Sequence, residues 1–216
     1  NPEDVILEYA APDTANYVVW LDSAQHISIK NMTIRALDDS IATVIHLGNN
    51  AKNNQIEGNV IYGNGRYASA ILARVGNNSN NRFVSNIIYG GLNGISLVGD
   101  ENTETRNNVI QGNIFKNQYQ MPVYCTYQKW QRVLGNEIIH SNPIEAKWAG
   151  IALVNCSGIW DSLSLTANNM ISYNANQLSA GILLSGSSYQ NVYHNNVNVF
   201  GDSEDSRAFN QEEGGG

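Results

Sequence analysis

The chain has 216 residues, 12 Lys and Arg against 19 Asp and Glu, and a formal net charge of −7, so it lacks the basic footprint that phosphate backbones and anionic membrane surfaces require. It contains 32 Asn and 19 Gly but only 4 Pro, with 14% charged residues where about a quarter is usual. That composition excludes a helical bundle, and no run of about 18 apolar residues offers a transmembrane helix.

In chain order, Val5–Tyr9 reads as a first apolar segment and Tyr17-Val18-Val19-Trp20-Leu21-Asp22 as a strand. From there one pattern recurs, two spacers and an Asn followed by an apolar pair. Its clear copies are Ile56-Glu57-Gly58-Asn59-Val60-Ile61, Phe83-Val84-Ser85-Asn86-Ile87-Ile88 and Ile110-Gln111-Gly112-Asn113-Ile114-Phe115. Looser copies centre on Asn31, Asn136, Asn169 and Asn196. Successive key asparagines, 31, 59, 86, 113, 136, 169 and 196, lie 28, 27, 27, 23, 33 and 27 residues apart.

Between them falls a second frame, a small residue followed by apolar, any, apolar. It reads Ala70-Ile71-Leu72-Ala73, Gly94-Ile95-Ser96-Leu97, Gly150-Ile151-Ala152-Leu153 and Gly181-Ile182-Leu183-Leu184, with Val44–Leu47 and Pro122–Cys125 as looser copies. Every repeat thus carries short segments of period two bounded by Gly and Asn turns, and none keeps a 3.6-residue period. A repeat near 28 residues built only of strands and turns predicts a coil stacked on itself at about 4.8 Å per turn. Asn suits such a coil because it tolerates left-handed bends and its amides bond along a ladder.

This repeat resembles the right-handed parallel β-helix, an all-β solenoid, here of about seven to eight turns and roughly 35 to 40 Å. The expected domain spans 1–201, with 202–216 as a polar tail, linker or tag. More narrowly, Tyr17–Ile34 and Ser187–Val197 resemble β-helix segments of large secreted surface proteins of Bacteroidota. That resemblance implies an exported or cell-surface setting and the company of pectate-lyase-like folds, among them lyases, hydrolases and adhesins. Both ends look cut, and the protein is expected to continue beyond them.

Chemistry is sparse. With Ile71, Ile95, Val123, Ile151 and Ile182 inward, alternation puts His46, Leu72, Ser96, Tyr124, Ala152 and Leu183 in one outward column and Gly48, Arg74, Val98, Thr126, Val154 and Ser185 in the next. Neither holds a carboxylate, and the outward Leu72, Val98, Val154 and Leu183 call for cover by a further domain or another subunit. Acids sit in turns, at Asp38-Asp39, at Asp202, Glu204 and Asp205, and at Asp100, Glu101 and Glu104; the last three form the best metal candidate, with calcium the ion they would suit. No cofactor is otherwise implied. His26, His46, His140 and His194 fall in different phases of the repeat. Cys125 aligns with Leu153, and Cys156 lies three residues beyond it, too far along for a bridge unless the turn is displaced.

Aromatics gather where the spacing contracts and then widens. Tyr124, Tyr127, Trp130 and Trp148 form a candidate carbohydrate patch, against the alternative that they cover the core under long loops; Trp160 lies in the same region. Two functions follow. One is a non-catalytic module, a rigid spacer or adhesin that contacts polysaccharide. The other is a calcium-assisted polysaccharide lyase or related carbohydrate-active enzyme, with Lys147 or Arg132 as base and Glu145 as acid partner.

Overall fold

The computed structural model describes residues 2–12, 14–37, 42–143, 147–175 and 177–213. The chain winds through three parallel sheets in turn. The first sheet stacks Ile6–Tyr9, Thr33–Ala36, Val60–Gly63, Ile87–Gly90, Ile114–Lys116, Glu137–His140, Met170–Asn174 and Asn196–Phe200. The second stacks Tyr17–Asp22, Thr43–Gly48, Ile71–Ala73, Asn93–Val98, Met121–Thr126, Trp148–Val154, Ser179–Ser185 and Arg207–Glu212. The third stacks seven strands from Ser28–Lys30 to Gln190–Tyr193. This is the expected parallel β-helix, a solenoid of about seven turns, and Arg207–Glu212 pairs in parallel with Ala180–Ser185 beyond the Gly201 boundary expected from the sequence.

Inward columns fill the coil. Ile34, Ile61, Ile88, Phe115, Ile138 and Ile171 stack in register along the first sheet, each 2% exposed or less. Ile45, Ile71, Ile95, Val123, Ile151 and Ile182 do the same along the second, and Leu47, Ala73, Leu97, Cys125, Leu153 and Leu184 form a parallel file two residues on. Burying each of the larger side chains contributes about 1.5–3 kcal/mol. The second sheet bends where the amides of Val44 and Ile45 both donate to Ala70 O, so Gly94, Gly150 and Gly181 also face inward.

The asparagine ladder is the buried Asn59, Asn86, Asn113, Asn136 and Asn169, ending in the half-buried Asn195. Each Oδ1 accepts the amide of the preceding rung at 2.9–3.2 Å, and each Nδ2 from Asn59 to Asn169 donates to the next Oδ1 at 2.8–3.1 Å. Two expected members are corrected. Register pairs Asn59 with Met32 and Asn169 with Asn195, so Asn31 and Asn196 stand one residue out of phase. A second ladder, Asn54, Asn81 and Asn108, continues as Gln131 and Ser164.

Candidate functional site

Corners of the coil are made by residues in left-handed backbone, and one such column runs between the second and third sheets. His26, Asn53, Asn80, Asn107, Trp130 and Tyr189 occupy it with φ of 53–59°. Amides from His26 to Trp130 each donate to the following turn. Asn is the ordinary occupant; a bulky residue there costs about 1–2 kcal/mol. Trp130 is thus strained where Asn would not be, and its buried indole Nε1 has no hydrogen-bond partner among the described residues. The Arg106 guanidinium sits 5.9 Å from its ring centroid. Tyr127, three residues earlier, is also left-handed, at φ 50°. Both rings are half-buried.

The sixth turn widens next to this corner. Lys129 and Gln131 flank Trp130 alone, whereas their partners Ser157 and Ser164 flank six residues, 158–163. A second insertion lies between His140 and Trp148. Each adds five residues, which accounts for the change in asparagine spacing from 23 to 33.

Of the expected aromatic patch, Tyr127 and Trp130 share the corner, and Tyr124 stands half-buried on the adjoining outer face of the second sheet, its hydroxyl pKa raised by burial and the neighbouring cysteines. Trp148 does not join them. It is 3% exposed and packs between His140 and Tyr173, ring centroids 5.6 and 4.7 Å away, so it belongs to the core. Trp160 is the reverse case, 81% exposed at the tip of the 158–163 insertion, with Tyr189 beside the base of that loop. Nothing periodic in the sequence separates the two tryptophans; only the path of the loops does.

The expected ion and acid–base sites do not assemble among the described residues. Asp100 is held by its own turn, accepting from Asn102 N at 2.9 Å and Thr103 Oγ1 at 2.7 Å, which keeps its carboxyl below the usual range. Glu104 pairs with Lys129 at 2.9 Å and lies 3.8 Å from Arg106, and its pKa is lowered chiefly by the Lys129 hydrogen bond. No group of three or more His, Cys, Asp or Glu gathers among the described residues. Arg132 is exposed on the third sheet and Lys147 lies exposed at the entry to the second, so the two base candidates are on different sheets. Glu145, their proposed partner, and Asp38-Asp39 lie outside the described residues. Cys125 and Cys156 are buried free thiols; burial raises both pKa values, that of Cys156 to about 12.

Two features escaped the sequence reading. On the first sheet Tyr62 and Tyr89 stack at 5.0 Å with planes 9° apart, and the Lys116 ammonium lies 5.4 Å from the Tyr89 centroid. Their facing surfaces are used on each other, so the file offers solvent mainly edges and hydroxyls. Beside it, register places Gly63, Gly90, Asn117, His140 and Tyr173 in one column. A cleft of about 520 Å³ lies beside the two glycines, bordered also by Arg66, Tyr119 and Asn142, and the backbone is packed closely there, since a Cβ on Gly90 would lie 2.8 Å from Gly63 O. His140 Nδ1 lies 2.8 Å from Asn142 O, and burial lowers its pKa, which favours the uncharged ring. The repeated Ile-Tyr-Gly at 61–63 and 88–90 was the available signal for both.

The outer face of the second sheet carries Trp20, His46, Leu72, Ser96, Tyr124, Ala152, Leu183 and Asn210 in one register column. Trp20, 44% exposed, stacks on His46 and touches Tyr17. The face therefore has the apolar and hydroxyl character expected of it. Small Ser96 and Ala152 are buried between larger neighbours.

This register defines the chain as a parallel β-helix protein. No family model and no curated protein matches it. Among solved structures it is similar to the Streptococcus pneumoniae surface protein and adhesin PfbA, at 12% identity and a TM-score of 0.39 over 91% of this chain and 63% of that one. The chain thus spans less than two thirds of that structure's length. No helix among the described residues is long and apolar enough to cross a membrane.

Proposed function

We propose that the chain is a non-catalytic β-helix module of an exported or cell-surface protein, a rigid adhesive spacer that contacts polysaccharide at the corner between its second and third sheets. One observation carries the reading: Trp130 keeps a strained left-handed backbone and an unpartnered indole N–H at a position that Asn fills in three other turns. Strain of this kind at a half-buried corner is retained where a side chain has a use outside the fold. An aromatic ring beside amides and hydroxyls suits the mixed apolar and polar surface of a sugar. The half-buried outward Leu72, Val98, Val154 and Leu183 supply the second contact expected of such a module, a neighbouring domain or subunit.

The test pairs stability with binding. Trp130→Asn should leave stability within about 1 kcal/mol of the parent, because relief of backbone strain offsets the lost packing. It should also weaken retention of the protein in polysaccharide-containing native gels. A cost of about 3–5 kcal/mol, as for a core Trp, with binding unchanged would assign Trp130 to packing alone. Incubation with polygalacturonate or alginate and calcium should give no rise in absorbance near 235 nm; new unsaturated ends would make the protein a lyase.

A further inference from the structure

The hairpin inserted in the sixth turn is built as a rigid mount. Ile159 N donates to Ser162 O and Ser162 N to Ile159 O, both at 3.0 Å, closing a two-residue tip of Trp160 and Asp161. At the base Gly158 N donates to Ser188 O at 3.1 Å, Ser164 N to Tyr189 O at 3.2 Å, and Ser164 Oγ to Ser157 O at 3.2 Å across the neck. A Cβ on Gly158 would lie 2.7–2.9 Å from Tyr189 O, Ser164 N and Ser162 O, so the base is packed to contact.

What the mount carries does nothing for the fold. Trp160 is 81% exposed and has no aromatic stacking or hydrogen bond among the described residues, so most of the indole surface meets solvent. Ile159, Leu163 and Tyr189 are 46%, 40% and 55% exposed around it. Polar Asn, Asp or Gly would close the same tip without presenting an apolar surface to water. Rigidity matters because an immobile ring loses little conformational entropy when it is covered.

We propose that this hairpin is a saccharide anchor, in which Trp160 stacks on the C–H face of a neutral pyranose and Asp161 accepts hydrogen bonds from its hydroxyls. The inference rests on the polysaccharide reading above and adds its principal residue and its sugar class. Charge selects the class. No Lys or Arg lies in 157–164, the tip bears a carboxylate, the nearby Lys129 and Arg106 both face Glu104, and the exposed Arg132, in register with Leu165, lies on the third sheet and not on the hairpin. An acidic chain would meet repulsion there, and so would an anionic membrane.

The experiment uses the whole chain in affinity electrophoresis against soluble β-glucan, galactomannan, xylan and pullulan, with polygalacturonate as the acidic comparison, followed by tryptophan fluorescence titration with the matching oligosaccharide. At least one neutral polymer should retard the protein, and polygalacturonate should not. Trp160→Ala should weaken binding about tenfold and abolish the fluorescence change, while Trp160→Phe should keep most of the affinity. Thermal melting should be unchanged in both, since the ring is outside the core. If Trp160→Ala binds like the parent while Trp130→Asn does not, the hairpin inference is overturned and the corner reading stands. Failure of every polymer to retard the parent overturns both. Trp160-dependent sedimentation with phosphatidylcholine vesicles, or preference for polygalacturonate, overturns the sugar class proposed here.

Discussion

Asn113 shows what the abundant amide does at the centre of the coil. Its Oδ1 accepts from Asn86 N at 3.0 Å and Asn86 Nδ2 at 2.9 Å, and its Nδ2 donates to Phe83 O at 2.9 Å and Asn136 Oδ1 at 3.0 Å, all of it buried. Backbone groups at a sharp bend cannot pair within a sheet, so the side chain completes them from the next rung. Asn113→Ala leaves the Asn86 amide buried without its partner, and it removes the donor that Phe83 O and Asn136 Oδ1 receive from Asn113 and one acceptor of Asn86 Nδ2; a buried group left unsatisfied costs about 1–3 kcal/mol. The expected loss is about 3–5 kcal/mol in urea unfolding, against about 1 kcal/mol for Asn107→Ala, which gives up one exposed hydrogen bond to Asn80 and puts alanine at φ 57°. Equal costs at the two positions would show that the ladder is incidental. The same scale explains the two phase errors. Asn195-Asn196 offers adjacent amides, and at Asn31-Met32 the visible Asn holds the left-handed corner, φ 54°, while Met32 takes the ladder site. Composition cannot say which of two neighbours turns inward.

At the scale of the element, alternation was readable because it repeats: the columns from His46 to Leu183 and from Ile71 to Ile182 stand in the register that their spacing predicts. Non-periodic parts were not readable. Whether Trp148 or Trp160 is buried depends on loop path, and the worth of Trp130 depends on a φ angle that no pattern of apolar residues encodes. The inward bend of the second sheet is intermediate, since the small residue at its start marks a close approach without naming the neighbour. At Gly94 a Cβ would stand 2.6 Å from Phe115 Cδ1 and 2.6 Å from the backbone oxygen of Pro122. The ring can shift and the carbonyl, held in the coil, cannot. Gly94→Ala should therefore cost about 2–3 kcal/mol. Gly135→Ala, where a Cβ meets nothing within 4 Å but φ is +59°, should cost about 1 kcal/mol from backbone strain alone. Denaturant midpoints for the two variants decide the point; a Gly94 cost no larger than the Gly135 cost would show that the contact with Pro122 O yields.

For the whole molecule, stability is the sum of turns and of the interfaces between them. The strands Ile87–Gly90 and Ile114–Lys116 are paired on both sides and sandwich core residues such as Ile88 and Phe115 that are fully buried. Among the described residues Arg207–Glu212 is paired on one side only, and Phe209 in its inward column is 45% exposed where Ile151 in the same column is wholly buried. Opening the last rung thus gives up one interface and little apolar area, whereas opening a middle rung breaks two interfaces and wets the core. Local opening should begin at that rung and at the other edge strand, Ile6–Tyr9, which is exposed along its whole length, and advance inward. Native-state hydrogen exchange should show amides of residues 207–212 exchanging at least tenfold faster than the hydrogen-bonded amides of residues 87–90 and 114–116, with the sixth and seventh turns between them. Docking of a partner on the last rung would pair its free edge and raise its protection toward that of the centre, which makes the gradient a direct reading of whether the stack is capped. Uniform protection from the second turn to the last in the isolated chain would mean that the solenoid opens as one unit, and the sum over turns would then be the wrong description of it.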